Sequence, residues 1–204
     1  YTFNSSRYFS VFIAIALCIF AFAAIRKHVK TFILGILLAV TILMPILPHL
    51  VSKEARLRFA EVNIFSDASV VKISNDRIER EHNSLMSKVV NNRRIGYARS
   101  YLLHFFDNLQ PDFLFGKGDG NPKFSIQDVG QMYPFEAIFL VIGIVGLLSA
   151  NAPVGLFMLC WIIAAIVPAA VARETPHALR ILNSLPTWHI FMAYGVVIFF
   201  DWMA

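Results

Sequence analysis

A glycine-rich stretch near the middle of the chain, residues 112–122 (DFLFGKGDGNP), carries side chains that could bind a ligand. Lys117, Asp119 and Asn121 alternate with glycines, so a cation, an anion and an amide lie close together on a permissive backbone. Loops of this composition can cradle phosphate with backbone N–H groups or supply oxygen ligands to a divalent cation. The stretch also ends in Asn121-Pro122, which is a turn signal.

Two well-known ligand loops do not fit this stretch. A nucleotide-binding P-loop needs four residues between its first glycine and Gly-Lys, then Ser or Thr, in a strand-to-helix context. An EF-hand needs acids at alternate positions, glycine at the sixth and Glu at the twelfth, and Asp119, Asn121 and Asp128 do not supply that set. Tight turn geometry is sufficient to explain the glycines, while contact with a phosphate or sugar and binding of a divalent cation stay open.

A second candidate site lies in residues 173–186 (RETPHALRILNSLP). His177 and Arg180 are three residues apart, so on a helical turn both would face the same side. A guanidinium and a proton-carrying imidazole at a membrane surface suit a phosphate that is attached to a lipid. The alternative is that both side chains only anchor the loop in the headgroup layer. Arg173, which begins the loop, is a further candidate contact.

The elements that must position these two loops are strongly apolar. The 204-residue chain is 57% hydrophobic and has a mean hydropathy of +0.63, whereas soluble domains are roughly 45–50% apolar. A helix needs about 20 residues to cross a bilayer. The apolar runs of about that length are residues 9–25, 31–50, 134–150, 153–172 and 186–200. The sequence predicts an all-α membrane protein with about five transmembrane helices.

The distribution of cations predicts an orientation. Residues 26–30 carry three Lys or Arg in a short turn, which places that turn in the cytoplasm. Residues 1–50 then form a helix pair, residues 51–133 an extracytoplasmic segment, and residues 134–204 three helices with an extracytoplasmic loop at 173–186. The predicted location is the cytoplasmic membrane. Cys18 and Cys160 lie in apolar spans, lack metal-site spacing and are predicted to be small core residues.

The segment 51–133 is predicted to be mostly helical and to lie between the second and third spans. It holds 12 of the 18 Lys and Arg together with 10 of the 13 acids, a balance that argues against a nucleic-acid partner. From residue 75 to residue 106, apolar positions recur at helical spacing. The central apolar stripe of this helix is Leu85, Met86, Val89 and Val90. The candidate N-caps are Asp67, Ser69 and Asn75.

This amphipathic helix has two interpretations. It is either a lid that buries its stripe against the membrane domain or a helix that lies in the bilayer interface, where Arg93 and Arg94 meet lipid phosphates. In the second interpretation, the aromatic residues at headgroup level are Tyr97, Tyr101, Phe105 and Phe106.

Four blocks of the sequence resemble prokaryotic multi-pass glycosyltransferases of the C superfamily, the enzymes related to protein mannosyltransferases and aminoarabinose transferases. The blocks are EVNIFSD (61–67), NNRRIGYARSYLLHFFDNLQPDFLFGKGDGNP (91–122), GQMYPFEAIFL (130–140) and PHALRILNSLP (176–186). Their order matches as well as their wording, and the resemblance covers nearly the whole chain beyond residue 50. One departure is that similar proteins often continue GDGNP with Arg-His, where this chain has Lys123-Phe124.

The resemblance implies transfer of a sugar from a polyprenyl phosphate to a hydroxyl or similar acceptor, on a lipid or a protein, outside the cytoplasmic membrane. In such enzymes basic residues of later outer loops hold the lipid phosphate leaving group, where positive charge stabilises the breaking glycosidic bond. The matching residues here are His177, Arg180, Lys117, Asp119 and Asn121, and Arg173 is predicted to bind substrate together with them.

The resemblance places the catalytic carboxylate in a first outer loop, which is expected to lie upstream of residue 1. Asp119 is then only a fallback candidate, and this chain is expected to be inactive alone. No metal site is predicted and no cofactor is implied, although a divalent cation stays open. Two other classes remain: a transporter, which would be expected to have broken helices and mid-membrane polar groups, and a non-catalytic membrane assembly subunit.

Overall fold

The computed structural model describes residues 4–46, 48 and 52–204, and these residues form helices, turns and loops without a β-strand. The helices are α1 (Asn4–Phe20), α2 (Phe22–Lys27), α3 (Val29–Leu43), α4 (Lys53–Val62), α5 (Ala68–Arg80), α6 (Leu85–Val90), α7 (Arg93–Asp107), α8 (Glu136–Ala150), α9 (Ala152–Ala169) and α10 (Leu185–Met203). Short 3₁₀ turns cover Met44–Ile46, Ile64–Ser66, Ala178–Arg180 and Leu182–Ser184. The prediction of an all-α chain is confirmed for the part that the structure describes.

Two helical stretches are long and apolar enough to cross a membrane. They are Ala152–Ala169 and Leu182–Met203. Three further apolar helices, Ser5–Phe20, Val29–Leu43 and Glu136–Ala150, are shorter. The last has 15 residues and rises about 22 Å, less than the roughly 30 Å of bilayer hydrocarbon. A membrane protein is therefore indicated, while the predicted number of five spans is not established. The end of the predicted second span, at residues 47 and 49–50, lies outside the described residues.

Helices α8 and α10 pack side by side through glycines. A Cβ atom on Gly143 would overlap the carbonyl oxygen of Phe191, and one on Gly195 would overlap that of Phe139. Backbones can come this close only where side chains are absent, as in many helix pairs of membrane proteins. The two helices run in the same direction, because α9 leads from the end of α8 back towards the start of α10.

Helix α1 packs along α9 and runs antiparallel to it. Phe9 meets the Trp161 ring at 5.7 Å between centroids, and Phe20 meets Phe157 at 5.4 Å. Asn183, which precedes α10, donates from its side chain to the Ser6 hydroxyl at 3.0 Å. The start of α1 therefore lies beside the start of α10, and its end lies beside the start of α9. Cys18 and Cys160, predicted to be core residues, are exposed because they face outward on these two helices.

The core joins the apolar helices to the loop that follows α7. Phe113 and Leu114 are buried in it, so the start of the glycine-rich loop is anchored in the protein. The buried members are Phe113, Leu114, Met132, Leu140, Ile162, Ile166, Ala169, Ile181, Trp188, Phe191 and Met192. Backbone N–H groups of Gln131 and Met132 donate to the carbonyls of Phe113 and Leu114, at 3.3 and 2.8 Å. This pairing fixes the glycine-rich loop against the helices.

The predicted helix over residues 75–106 is broken into three. Its first part, α5, begins at the predicted cap Asp67, which accepts from the Ser69 N–H at 2.8 Å. The chain then turns through His82 and Asn83, both at positive φ, which a helix cannot accommodate. Ser84 and Asn92 accept hydrogen bonds as the N-caps of α6 and α7. Capping residues inside the periodic stretch therefore restart the helix twice.

The lid interpretation of the apolar stripe does not hold within the part of the chain that the structure describes. Leu85 and Met86 are 83% and 74% exposed, and Val89 and Val90 are also exposed. It is the polar Ser87 that is buried. The predicted interfacial aromatic residues do not all face outward. The hydroxyls of Tyr97 and Tyr101 point inward and donate to the carbonyls of Asp67 and Val167.

Candidate functional site

The glycine-rich loop is built on one tight turn. Residues Asp112–Gly116 form a single π-helical turn, and the N–H groups of Lys117 and Gly118 both donate to the Asp112 carbonyl, at 2.7 and 3.3 Å. Gly118 has φ +76°, a conformation that favours glycine. The turn interpretation of this stretch therefore has a direct structural basis at Gly118. The turn places the Asp119 side chain in the protein interior.

The Asp119 carboxylate is the centre of a buried polar cluster. Its side chain is 3% exposed. Oδ1 accepts from the Asn121 N–H at 2.9 Å, and Oδ2 accepts from the Ala178 N–H at 2.8 Å. The second bond crosses 59 residues of sequence and ties the glycine-rich loop to the loop 173–186. Gln127 closes the other side by donating from its side chain to the Asp119 carbonyl at 2.6 Å.

The loop 173–186 is held on its other side by the end of α7. Asn108, which is fully buried, accepts from the His177 N–H at 3.2 Å and donates to the His104 carbonyl at 2.7 Å. Asp107 accepts from the Thr175 hydroxyl at 2.9 Å. His177 is in extended conformation and begins the 3₁₀ turn Ala178–Arg180. The backbone at His177 is thus held by two hydrogen bonds, one from the His177 N–H to Asn108 and one from the Ala178 N–H to Asp119.

Arg180 supplies the cation of the cluster. It is 8% exposed, and its Nη1 donates to the Glu174 carbonyl at 2.6 Å. Burial lowers its pKa, while the nearby charges of Glu174 and Asp119 oppose that shift. An arginine guanidinium stays protonated at any physiological pH, so Arg180 remains a cation with further N–H donors on its planar fork.

His177 is the neutral partner in this cluster. It is 5% exposed, and its Nδ1 lies 3.6 Å from Asp119 Oδ2. Burial is the main cause that lowers the pKa of the imidazole and the Arg180 charge is the second, and together they outweigh the opposing effect of Asp119. The imidazole is therefore mostly neutral at pH 7, and its contact with Asp119 is a polar contact and not an ion pair.

Phe124 covers the imidazole. Its ring centroid lies 4.8 Å from that of His177 at an interplanar angle of 34°. Phe124 is the second residue of Lys123-Phe124, the pair at which the sequence departs from the expected pattern, so that departure falls directly on the site. An apolar ring at this position helps to exclude water from His177, in keeping with the direction of its pKa shift.

No family model, curated protein or solved structure matches this chain. The chemistry of the cluster is therefore argued from its own residues.

The six predicted substrate-binding residues do not form one site. Asp119, His177 and Arg180 come together, whereas Lys117 and Asn121 are exposed, and the Asn121 side chain accepts from the Lys123 N–H at 3.0 Å. Arg173 is also exposed and lies in a different contact, where its Nε donates to the Asn63 carbonyl at 3.1 Å. That contact accompanies a short antiparallel bridge between Asn63 and Ala172. Arg173 thus fastens the end of α9 to the end of α4.

A cation site has little support at this cluster. Asp119 uses both carboxylate oxygens on backbone N–H groups. Among the residues that the structure describes, no group of three or more His, Cys, Asp or Glu is arranged to hold a metal ion.

Three contributors to the site were not predicted. Asn108, Gln127 and Phe124 all contact it, yet none stands in a ligand-binding pattern. Asn108 follows the last turn of a helix and looks like a helix-ending residue, and Gln127 lies in a polar loop. Only Phe124 carried a signal, because it is one of the two residues at which the chain departs from the expected Arg-His. The arrangement as a whole is a buried guanidinium beside a neutral imidazole, which can bind an anion and exchange a proton.

Proposed function

We propose that the chain is part of an integral membrane glycosyltransferase of the C superfamily, which moves a sugar from a polyprenyl-phosphate donor to an acceptor outside the cytoplasmic membrane. The observation that carries the proposal is the bond from the Ala178 N–H to Asp119 Oδ2 at 2.8 Å. It joins the two most distinctive blocks of the resemblance, GDGNP and PHALR, into one cluster. The two blocks lie far apart in sequence and resemble one enzyme class. Their contact in space is consistent with a shared site.

Arg180 is assigned to the phosphate of the donor. A guanidinium fork matches two phosphate oxygens better than a single ammonium does. The charge on those oxygens rises as the bond to the sugar breaks, so a buried cation stabilises the leaving group more than the intact donor. A binding phosphate would also favour the protonated form of His177, which could then donate a hydrogen bond to a phosphate oxygen.

Asp119 is assigned to positioning rather than to base catalysis. Both of its oxygens accept backbone hydrogen bonds, and the carboxylate is buried. Its role in the proposal is to hold the turn that carries His177 and Arg180. Deprotonation of the acceptor hydroxyl would then fall to a carboxylate other than Asp119. Lipid and protein acceptors both remain within the proposal.

The membrane arrangement belongs to the same proposal. We infer five spans, with residues 51–133 and 173–186 on the outer face and the basic turn at residues 26–30 in the cytoplasm. The direction of α1 supports this orientation, because it starts beside Asn183, near the site, and its end packs near the start of α9. The basic residues at 26–30, which lie in α2 and α3, therefore come after the end of α1 that is away from the site.

The decisive experiment incubates membranes that contain the full-length protein with polyprenyl phosphates carrying labelled sugars, and follows the label from donor to acceptor. One labelled sugar is expected to move. Arg180→Gln is expected to reduce the rate by about tenfold or more, because a hydrogen bond to a charged group contributes about 1.5–3 kcal/mol. Arg180→Lys keeps the charge without the fork and should fall between the two.

Arg77→Gln is the matched control, since Arg77 is an exposed arginine on α5, outside the cluster. It should transfer at the wild-type rate. The proposal is wrong if no label moves from any donor, or if Arg180→Gln, expressed and folded as the wild type, transfers as fast as Arg77→Gln.

A further inference from the structure

Helix α7 presents its apolar side outward and its polar side inward. Its exposed apolar residues are Ile95, Leu102, Leu103 and Phe106, each between 46% and 61% exposed. They recur at i, i+7, i+8 and i+11 and so form one stripe along the helix. On the inner side, the hydroxyls of Tyr97 and Tyr101 reach backbone carbonyls of the neighbouring elements. A helix that faced water would have these two sides exchanged.

The inner contacts place α7 at the level of a membrane surface. The Tyr101 hydroxyl donates to the Val167 carbonyl at 3.2 Å, and Val167 lies in the last turn of the spanning helix α9. Tyr101 is near the middle of α7, so this helix lies beside the point where α9 ends. If α9 crosses the bilayer, its end is at the headgroup layer, and the outward stripe of α7 is then at the depth where apolar side chains can enter lipid.

The charge pattern identifies what kind of lipid surface fits. Residues 82–106 contain four Lys or Arg and no Asp or Glu, although the surrounding segment is rich in acids. Arg93 and Arg94, both exposed, begin α7, and Arg99 lies within its apolar stripe. A long arginine side chain can lay its methylenes along apolar surface while its guanidinium reaches the phosphates. Each cation near an anionic surface adds about 1 kcal/mol of attraction.

Helix α6 continues this acid-free surface. Its exposed side chains Leu85, Met86, Val89 and Val90 have no counterpart in the described part of the chain that buries them, whereas the polar Ser87 is buried. Lys88 lies among them. The same inversion of apolar and polar sides therefore occurs in two consecutive helices.

We propose that the outward face of residues 85–106, which we call the lipid-facing surface, docks on anionic lipid in the membrane leaflet at the end of α9. Its apolar stripe enters the headgroup–acyl boundary, and Lys88, Arg93, Arg94 and Arg99 contact lipid phosphates. The lipid-facing surface would anchor α7, and through Asp107 and Asn108 the loop that carries His177, at a constant depth in the membrane.

The test places fluorescent reporters on the protein in lipid vesicles. In a background where Cys18 and Cys160 are replaced by Ala, Leu102→Cys and Leu103→Cys are each labelled with an environment-sensitive dye. Glu79→Cys, at an exposed polar position on α5, is the matched control. The labelled protein is reconstituted in vesicles of phosphatidylcholine alone or with phosphatidylglycerol, and spin-labelled lipid is added as the quencher.

The labels at positions 102 and 103 are expected to emit at shorter wavelength than the label at position 79 and to be quenched several-fold more. Phosphatidylglycerol should increase this quenching. The increase should be lost in Arg93→Gln/Arg94→Gln and in 1 M salt, where the screening length is about 3 Å. Two independent reporter positions keep the test valid if one variant folds poorly.

The proposal is overturned if the labels at 102 and 103 behave like the label at 79 in both kinds of vesicle. It is also overturned if the unlabelled Leu102→Cys variant forms a crosslink between two copies of the chain in the vesicles, because the stripe would then be a protein interface. Neither outcome depends on sugar transfer, so this test is independent of the proposed enzymatic function.

Discussion

Burial lowers the pKa of both His177 and Arg180, yet the two side chains differ in charge at pH 7. The guanidinium begins from a pKa so high that a lowered value still leaves it protonated at pH 7. The imidazole begins at 6.5, and a lowered pKa leaves it neutral. The pair therefore offers one fixed positive charge and one group that can take up a proton when an anion arrives.

The lowered pKa of His177 predicts how folding depends on pH. In the unfolded chain the imidazole titrates near 6.5, whereas in the fold it accepts a proton only at lower pH. Below about pH 6.5 the unfolded state therefore binds more protons, and the free energy of unfolding should fall as the pH falls. Well above that pH the imidazole is neutral in both states and contributes no slope.

The measurement is the unfolding temperature of the purified protein in one detergent, between pH 7.5 and pH 5. His177→Gln should lose less stability than the wild type over this range, because it removes the group that titrates. His82→Gln is the control, since His82 lies in an exposed turn after α5. Equal slopes for His177→Gln and the wild type would show that the imidazole is not held in its neutral form.

The sequence predicted the neighbours within each loop but not the contacts between loops. The spacing of His177 and Arg180 predicted that they lie together, and in the fold the Arg180 charge helps to lower the pKa of the imidazole. The contact of Asp119 with Ala178 could not be predicted from spacing, because it depends on how α7 and the apolar helices pack. Asn108 was missed for the same reason: its amide has no ligand pattern, and only the fold brings it to the His177 N–H.

Among the helices, the contact between α8 and α10 depends on two glycines. Gly143→Ala would place a methyl group against the carbonyl oxygen of Phe191, which is backbone and cannot move aside as a side chain can. Replacing glycine by alanine in a helix ordinarily stabilises it by up to about 1 kcal/mol. Here the helices must separate, and overpacking typically costs about 1–3 kcal/mol. The net prediction is a lower unfolding temperature.

Gly35→Ala is expected to change the unfolding temperature in the opposite direction, or not at all. A Cβ atom on Gly35, in the apolar helix α3, meets nothing within 4 Å, so only the gain in helix propensity remains and the unfolding temperature should be equal or higher. Both variants are measured in the same detergent at the same pH. If Gly143→Ala were as stable as Gly35→Ala, the close contact between α8 and α10 would be incorrect.

The helices were predicted well where hydrophobicity alone decides and poorly where capping decides. The apolar runs at 134–150 and 153–172 correspond closely to α8 and α9, because nearly every position in them is favourable in a core or in lipid. The run at 75–106 has the right periodicity, yet Ser84 and Asn92 start new helices within it. Periodicity shows which residues share a face, but a single capping side chain is enough to change the direction of the chain.

At the scale of the whole molecule, the bundle has two ends with different chemistry. The cluster of Asp119, His177 and Arg180 lies at the end where α9 finishes and α10 begins. The cationic segment at residues 26–30, which runs from the end of α2 into α3, follows α1, and the end of α1 packs near the start of α9. The proposed topology puts these two ends in opposite compartments, because the positive-inside rule would assign the cationic segment to the cytoplasm.

This assignment predicts which residues are reachable from each side. With Cys18 and Cys160 replaced by Ala, Gly120→Cys reports on the glycine-rich loop, where a Cβ atom has open space around it. Lys27→Cys reports on the cationic segment at the end of α2, where the side chain is exposed. A membrane-impermeant maleimide should modify Gly120→Cys in right-side-out vesicles and Lys27→Cys only in inverted ones. Detergent should make both positions reactive, which controls for hidden thiols. If both were modified from one side, the chain between them would cross the membrane an even number of times, and the assignment of the two ends to opposite compartments would be wrong.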